Sequence, residues 1–191
     1  MDEKYWCNEW GSNILFAHGS NDSRGVCILF NPKLHFTVLK HTSHVDGRFI
    51  LVDIQFHDHI ITIVGVYGPN IDSPSFFVNL SRELSSFQGD TIIMAGDFNF
   101  VFNLKLDKVG GQFKTNFKAR DECLSLMTVH NLIDIWREKN PFSKHFTWSS
   151  NITPGIHCRL DFFLVSRSVE HSTTDISFSP GIQSDHFFLF R

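Results

Sequence analysis

Thr91-Ile92-Ile93-Met94-Ala95-Gly96-Asp97-Phe98-Asn99 decides the fold. The first five residues are β-branched or apolar with no polar alternation. That predicts a strand covered on both faces, as in a layered α/β domain. Gly96 lets the backbone turn closely. Asp97 and Asn99 then place a carboxylate and an amide two residues apart where the strand ends. At the mouth of a sheet such a pair can hold a metal, a water and a phosphate oxygen together. The same spacing also makes an ordinary Asx turn.

Working outward, residues 49–56 and 60–67 are two strand-like runs joined around His57-Asp58-His59, which predicts a hairpin. Residues 26–30 give another short strand. Asp72-Ser73-Pro74 reads as a helix start, a capping side chain followed by Pro near the first turn. Phe76, Phe77, Leu80, Leu84 and Phe87 come next at helical spacing, so this helix packs one face on a sheet. Gln88-Gly89-Asp90 ends it. A second helix is predicted from Thr115 or Asn116, carrying Ala119, Cys123, Leu126 and Met127 inward, with Asn131 as a left-handed stop. Later strands are expected at 146–148, 159–165, 176–178 and 186–190. Strands dominate and helices intervene singly, which favours an α/β sandwich over a barrel.

The 191 residues suit one domain over 1–191 that buries roughly 70% of its surface. With 42% hydrophobic and 19% charged residues, a disordered polar chain is excluded. The 21 Phe against 2 Tyr add core volume without hydroxyls to satisfy. No apolar run approaches the roughly 20 residues of a membrane-spanning helix, and Met1 to Lys4 do not open a signal peptide. The Asn-x-Ser/Thr sequons at Asn21, Asn79 and Asn151 are therefore read as chance matches. Net charge is −3, made of −5 over residues 1–100 and +2 over 101–191, so charge alone does not announce nucleic-acid binding. Cys7, Cys27, Cys123 and Cys158 form no CxxC pair, which argues for free thiols rather than a zinc or redox site.

Two further segments carry chemistry. Ser184-Asp185-His186 precedes the last strand and can turn Asp and His into one site. In Arg159-Leu160-Asp161-Phe162-Phe163, strand alternation puts Arg159 and Asp161 on one face and Leu160 and Phe162 on the other. A carboxylate on so apolar a strand needs a partner. His186 is one candidate, and a structural salt bridge with Arg159 is the other.

Taken in order, Tyr67 to Asn70, Gly96 to Asn99, Lys108 with Gly110-Gly111, Asp134 to Arg137, Phe146 to Trp148, Arg159 to Ser166 and Ser184 to His186 resemble the endonuclease/exonuclease/phosphatase superfamily, which has the DNase I-like fold. Within it they resemble the endonuclease domain of LINE-type (non-LTR) retrotransposon polyproteins. The likeness runs from about Tyr5 to the last residue. It implies an α/β, four-layer DNase I-like sandwich and a Mg²⁺- or Mn²⁺-dependent phosphodiesterase that nicks DNA. It also implies an intracellular, nuclear protein with no membrane partner, and a reverse transcriptase domain downstream in a full-length polyprotein.

The resemblance implies roles residue by residue. Asp97 positions or deprotonates the attacking water, and Asn99 holds the water or the scissile phosphate. Asp185, with Asp97, serves the metal. His186 contacts the phosphate, and Asp161 accepts a hydrogen bond from it, fixing its orientation and favouring its protonated form. Tyr67 donates to a phosphate oxygen with Asn70 nearby. The metal neutralises phosphate charge and eases departure of the leaving oxygen. Lys108, Arg120, Arg159 and Trp148 are the expected DNA contacts. Lys105, Lys108, Lys114, Lys118 and Arg120 outweigh Asp107 between 105 and 120, which reads either as a phosphate-facing patch or as a solvated loop and helix face. Trp148 reads either as a DNA wedge or as a part-buried core residue.

The front of the chain departs from the family pattern. There the first strand carries an Asn, and a Glu in a Gln-Glu-Thr-like context comes after it as the principal metal ligand. Asp2 to Trp6 resemble the residues just downstream of that Glu. The sandwich is thus expected to lack its first strand, first helix and metal Glu, and to expose sheet edge and apolar surface. Nothing in their context supports Glu3 or Glu9 as a substitute. Cys158 stands where the apurinic branch often has an aromatic, which argues against abasic-site repair. Two alternatives stand beside the nicking enzyme: a catalytically impaired remnant that folds or binds DNA without turnover, and a phosphoinositide or sphingolipid phosphodiesterase of the same fold.

Overall fold

The computed structural model describes residues 3–11, 13–20, 23–112, 115–172, 177–180 and 186–190. Helix α1 (Glu3–Trp10) leads into the hairpin of β1 (Ile14–Ser20) and β2 (Ser23–Leu29). Strands β3 (Thr37–Ser43), β4 (Phe49–Phe56) and β5 (His59–Tyr67) come next, and α2 (Pro74–Leu84) crosses over to β6 (Thr91–Asp97). After β7 (Lys108–Val109) come α3 (Phe117–Val129), β8 (Leu132–Asp134) and α4 (Ile135–Lys139). The chain ends with β9 (Trp148–Ser149), β10 (His157–Cys158), β11 (Asp161–Ser166), a 3-10 turn (Arg167–Ser172), β12 (Ser177–Pro180) and β13 (Phe187–Phe190).

A six-stranded sheet in the order β3-β4-β5-β6-β11-β8 forms the centre. Only β5 and β6 pair in parallel, which is why a helix must connect them. Alternation divides the strands between two faces. Phe49, Leu51, Val64, Val66, Met94, Phe162 and Leu164 lie on one, covered by Phe77, Leu80 and Leu84 of α2 and Ala119, Cys123 and Leu126 of α3. Many of the Phe residues do their packing here: Phe77, Phe98, Phe100, Phe102 and Phe162 meet edge-on or stacked. On the other face the β1–β2 hairpin lays Leu15 and Ile28 over Val52, Ile54, Ile61 and Ile63. Ile135 and Val169 pack there against Ile93, Ile133, Phe163 and Val165. Separate two-stranded sheets, β1–β2 and β12–β13, and a ribbon in the order β7-β10-β9 complete the layers.

The expected 49–56/60–67 hairpin is β4–β5, turned through His57 at φ 51. Asn131 takes φ 51 just beyond α3, as the left-handed stop requires. Boundaries differ from expectation in several places. First, the helix expected to carry Phe87 ends at Leu84, its N-cap Ser73 makes no side-chain bond, and Asp72 does not cap it. Its carboxylate instead accepts the Ala119 N–H at 2.8 Å and the Lys118 N–H at 3.3 Å, capping α3 from a distance. Second, β11 starts at Asp161 rather than Arg159. The Thr147 hydroxyl accepts the Leu160 and Asp161 N–H groups at 2.9 and 3.1 Å where the strand begins. Third, of the expected strand 146–148 only Trp148 is in β9. Residue 176 and Ser184-Asp185 lie outside the described residues.

Candidate active site

Register builds the site. Tyr67 at the end of β5 is the Cα partner of Asp97 at the end of β6, and Asp97 is the partner of Asp161 at the start of β11. Residues in register across a sheet share a face, so the three side chains form a row along one sheet end. Gly96 makes the row possible: at φ 144, a Cβ there would overlap the Val66 carbonyl of β5. Just beyond it, Asn99 adopts φ 56, and its N–H closes an Asx turn on Asp97 Oδ1 at 2.8 Å. The turn and the site are therefore one structure. The Asn99 side chain donates to the Gly68 carbonyl at 2.9 Å, tying the loops after β5 and β6 together.

His186 completes the row. Its Nδ1 lies 2.9 Å from Asp161 Oδ2, and its Nε2 lies 4.0 Å from Asp97 Oδ2. A carboxylate only accepts, so the Nδ1–H must donate to Asp161 and Nε2 is the nitrogen turned toward Asp97. The imidazole side chain is 30% exposed, against 14% for Asp97 and 20% for Asp161, so the cluster is reached from solvent. Of the two partners open to Asp161, the structure selects His186. Trp148 holds the backbone of His186 through an antiparallel bridge and is itself half-buried.

Arg159, expected at the DNA, is elsewhere. It is 1% exposed, with Nε on Asp107 Oδ1 at 2.8 Å and Nη2 on Asp134 Oδ2 at 2.7 Å. The planar guanidinium also packs on Phe162 and Trp136. Burial opposes its charge, but Asp134 and Asp107 outweigh that and hold it more firmly charged than usual. Arg137 adds a second cation to Asp107 at 2.6 Å. Arg120 is bound to the neighbouring Asp121 and packs over Phe117. Lys108 and Asn70 do lie near Asn99: with Gln112, Thr115 and Asn116 they line an open pocket of about 290 Å³. Cys158 closes its floor, its thiol pushed up by burial against the pull of Lys108.

Two residues here were not singled out from sequence. Asn116 donates to the carbonyls of Asn70 and Asn99 and so joins both loops to the start of α3. Arg48 donates to the Tyr67 and Gly68 carbonyls and packs over the Tyr67 ring, 5.7 Å from its centroid. The available signal for Arg48 was its place just after the Asp46-Gly47 turn, at the mouth of β4.

The oxygen donors of Asp97 and Asn99 suit a hard divalent cation, which binds through one or two carboxylates plus substrate phosphates. Among the described residues, no group of three or more His, Cys, Asp or Glu is arranged to hold a metal ion, and Asp185 lies outside them. The four cysteines are free thiols. No helix among the described residues is long and apolar enough to cross a membrane.

No family model matches the chain. Solved structures do. An AP endonuclease from Archaeoglobus fulgidus superposes with a TM-score of 0.77 at 18% identity, over 98% of this chain and 81% of that one. The endonuclease domain of TRAS1, a telomere-specific non-LTR retrotransposon, superposes with a TM-score of 0.66 at 13% identity, over 93% and 77%. These likenesses define the fold: the chain has the DNase I-like α/β sandwich. In sequence the chain is 28% identical over 149 residues to the transposon TX1 uncharacterized 149 kDa protein of Xenopus laevis, covering 76% of this chain but only 11% of that protein. The chain is thus similar in sequence to a transposon-encoded protein and in fold to a retrotransposon endonuclease domain.

Proposed function

We propose that this chain is a metal-dependent phosphodiesterase that nicks DNA, the endonuclease portion of a LINE-type retrotransposon polyprotein. The observation that carries the reading is His186 held between Asp161 and Asp97 at the solvent-facing end of the sheet. In this reading Asp97 orients the attacking water and takes its proton as the water oxygen bonds to phosphorus and the scissile P–O bond breaks. With both ring nitrogens protonated, His186 donates Nδ1–H to Asp161 and turns Nε2–H to a phosphate oxygen, where negative charge gathers. Asn99, locked by the Gly68 carbonyl, holds the water or the scissile phosphate, and Tyr67 donates to another phosphate oxygen. Asp97, with Asp185, would hold Mg²⁺ or Mn²⁺, which when bound neutralises phosphate charge. Asn70 and Lys108, at the pocket beside Asn99, are the proposed backbone contacts, and Trp148, bridged to His186, is a further proposed DNA contact.

DNA is the proposed substrate, a reverse transcriptase domain the proposed companion in the parent polyprotein, and the nucleus the proposed place of action. The test is nicking of supercoiled plasmid with Mg²⁺ and with EDTA, beside Asp97→Ala and His186→Ala. Metal-dependent nicking lost in both variants is the expected result. DNA binding without turnover by the unaltered chain would favour the impaired remnant. Turnover only of a phosphoinositide or sphingolipid would move the substrate.

A further inference from the structure

Thr147 is 0% exposed and lies beside the site without touching any reacting group. A threonine hydroxyl has two acceptor lone pairs. Here both are filled by consecutive backbone donors, Leu160 N–H at 2.9 Å and Asp161 N–H at 3.1 Å. The Leu160 carbonyl in turn accepts the Phe98 N–H at 2.8 Å, next to Asp97. The Thr147 N–H donates to the Cys158 carbonyl at 2.9 Å, which anchors the hydroxyl itself. The next residue, Trp148, bridges to the backbone of His186. The contacts close a loop: Thr147 to the Asp161 backbone, the Asp161 carboxylate to His186 Nδ1, His186 to Trp148, and Trp148 back to Thr147.

We infer that Thr147 is a positioning residue that fixes the spacing of Asp161 and His186 from both ends. This rests on reading the site as a phosphodiesterase, but the geometric part can be tested apart from activity. One rigid segment sets the backbone of both members of the pair, so the imidazole is aimed before substrate arrives. Asp161 opens β11, where a strand end would otherwise fray. A valine of the same shape fills the space but offers no acceptor to either N–H, while serine keeps the oxygen.

The experiment has two parts. In the unaltered chain, amide hydrogen exchange should be slow at Leu160 and Asp161; free exchange at both would overturn the inference without any variant. Thr147→Val, Thr147→Ser and Asp161→Asn are then compared by plasmid nicking and by NMR of ring-labelled histidine. Thr147→Val should lower kcat about 100-fold with little change in KM, the size expected of a displacement near 1 Å. It should also lose the hydrogen-bonded His186 Nδ1–H signal, as Asp161→Asn does, and Thr147→Ser should keep both. A folded Thr147→Val with that signal and kcat intact overturns the inference. Should Thr147→Val fail to fold, the exchange result and Thr147→Ser decide, and loss of the signal in the serine variant counts against it. If the signal behaves as expected but no form nicks DNA, the positioning stands and the nuclease reading falls.

Discussion

Two clusters of like chemistry flank Leu160. Below it, Arg159 lies between Asp107 and Asp134 at 1% exposure. Above it, His186 lies between Asp161 and Asp97 with 30% of its side chain exposed. Each sets a cation-forming group between two carboxylates, yet the physics differs. The buried arginine makes short ion pairs to both carboxylates and stacks on two rings, so its charge is spent on holding strands together. The open cluster includes a contact of 2.9 Å and one of 4.0 Å within reach of solvent. Burial separates the structural cation from the histidine of the proposed site.

The sharpest way to break that contrast is to remove one group from each cluster. Asp97→Ala or His186→Ala should lower nicking by about 10²- to 10⁴-fold, the range for losing a general acid or base. Thermal unfolding should move less than for the buried cluster, with Asp97→Ala losing the Asx-turn bond to the Asn99 N–H, about 1 kcal/mol. Unfolding of both variants would mean that the open cluster is structural after all. Arg159→Ala should do the reverse. It leaves Asp107 and Asp134 buried and short of a partner, a loss of about 3–5 kcal/mol, seen as a Tm fall of roughly 6–20 °C. Any loss of nicking should then track the unfolded fraction. An Arg159→Ala protein of unchanged Tm would show that the buried cluster does not hold the fold.

The same contrast explains which features were legible in the sequence. The strand at 91–95, the 49–56/60–67 hairpin and both long helices could be read from apolar spacing, which reports burial directly. Asp161 stood out as a carboxylate on an apolar strand, while the roles of Asp97 and His186 came from the ordered motifs and the family they resemble. Arg159 was not: two residues from Asp161, it resembles a phosphate ligand, and only the distant Asp107 and Asp134 show that it is consumed internally. Asp72 shows the same limit: the Asp72-Ser73-Pro74 stretch marked the start of α2, but the Asp72 carboxylate caps the distant α3 at Lys118 and Ala119. Asn116 and Arg48 act through backbone carbonyls of other loops, which no local pattern encodes.

That remote cap gives the next prediction. Asp72→Ala should cost about 1 kcal/mol, the usual loss of a cap. It falls on α3 rather than on α2, where Ser73 is the N-cap. Hydrogen exchange at Lys118 and Ala119 should quicken while the first turn of α2 stays as it was. Equal loosening of both helices would return Asp72 to the role its sequence position implies.

The smallest effect concerns a histidine between these extremes. His130 is half-buried at the end of α3, with Nε2 3.0 Å from the Ser81 hydroxyl of α2. Burial lowers its pKa from the ordinary value, only partly opposed by the hydrogen bond to the Ser81 carbonyl. The folded state therefore binds fewer protons than the unfolded one near pH 6, and stability rises with pH. The contribution is complete above the unfolded pKa near 6.5 and is lost as pH falls through the lower folded value. Because the ring is partly solvated, it should amount to less than about 1 kcal/mol. Urea midpoints at about pH 7.5 and 5.5, either side of the ordinary histidine pKa, should converge slightly for His130→Gln relative to the unaltered chain. His145, also lowered by burial, supplies the same slope in both proteins and cancels in the difference. A steeper acid loss in His130→Gln would mean that the folded protein prefers the charged ring, so that a partner rather than burial governs this half-open position.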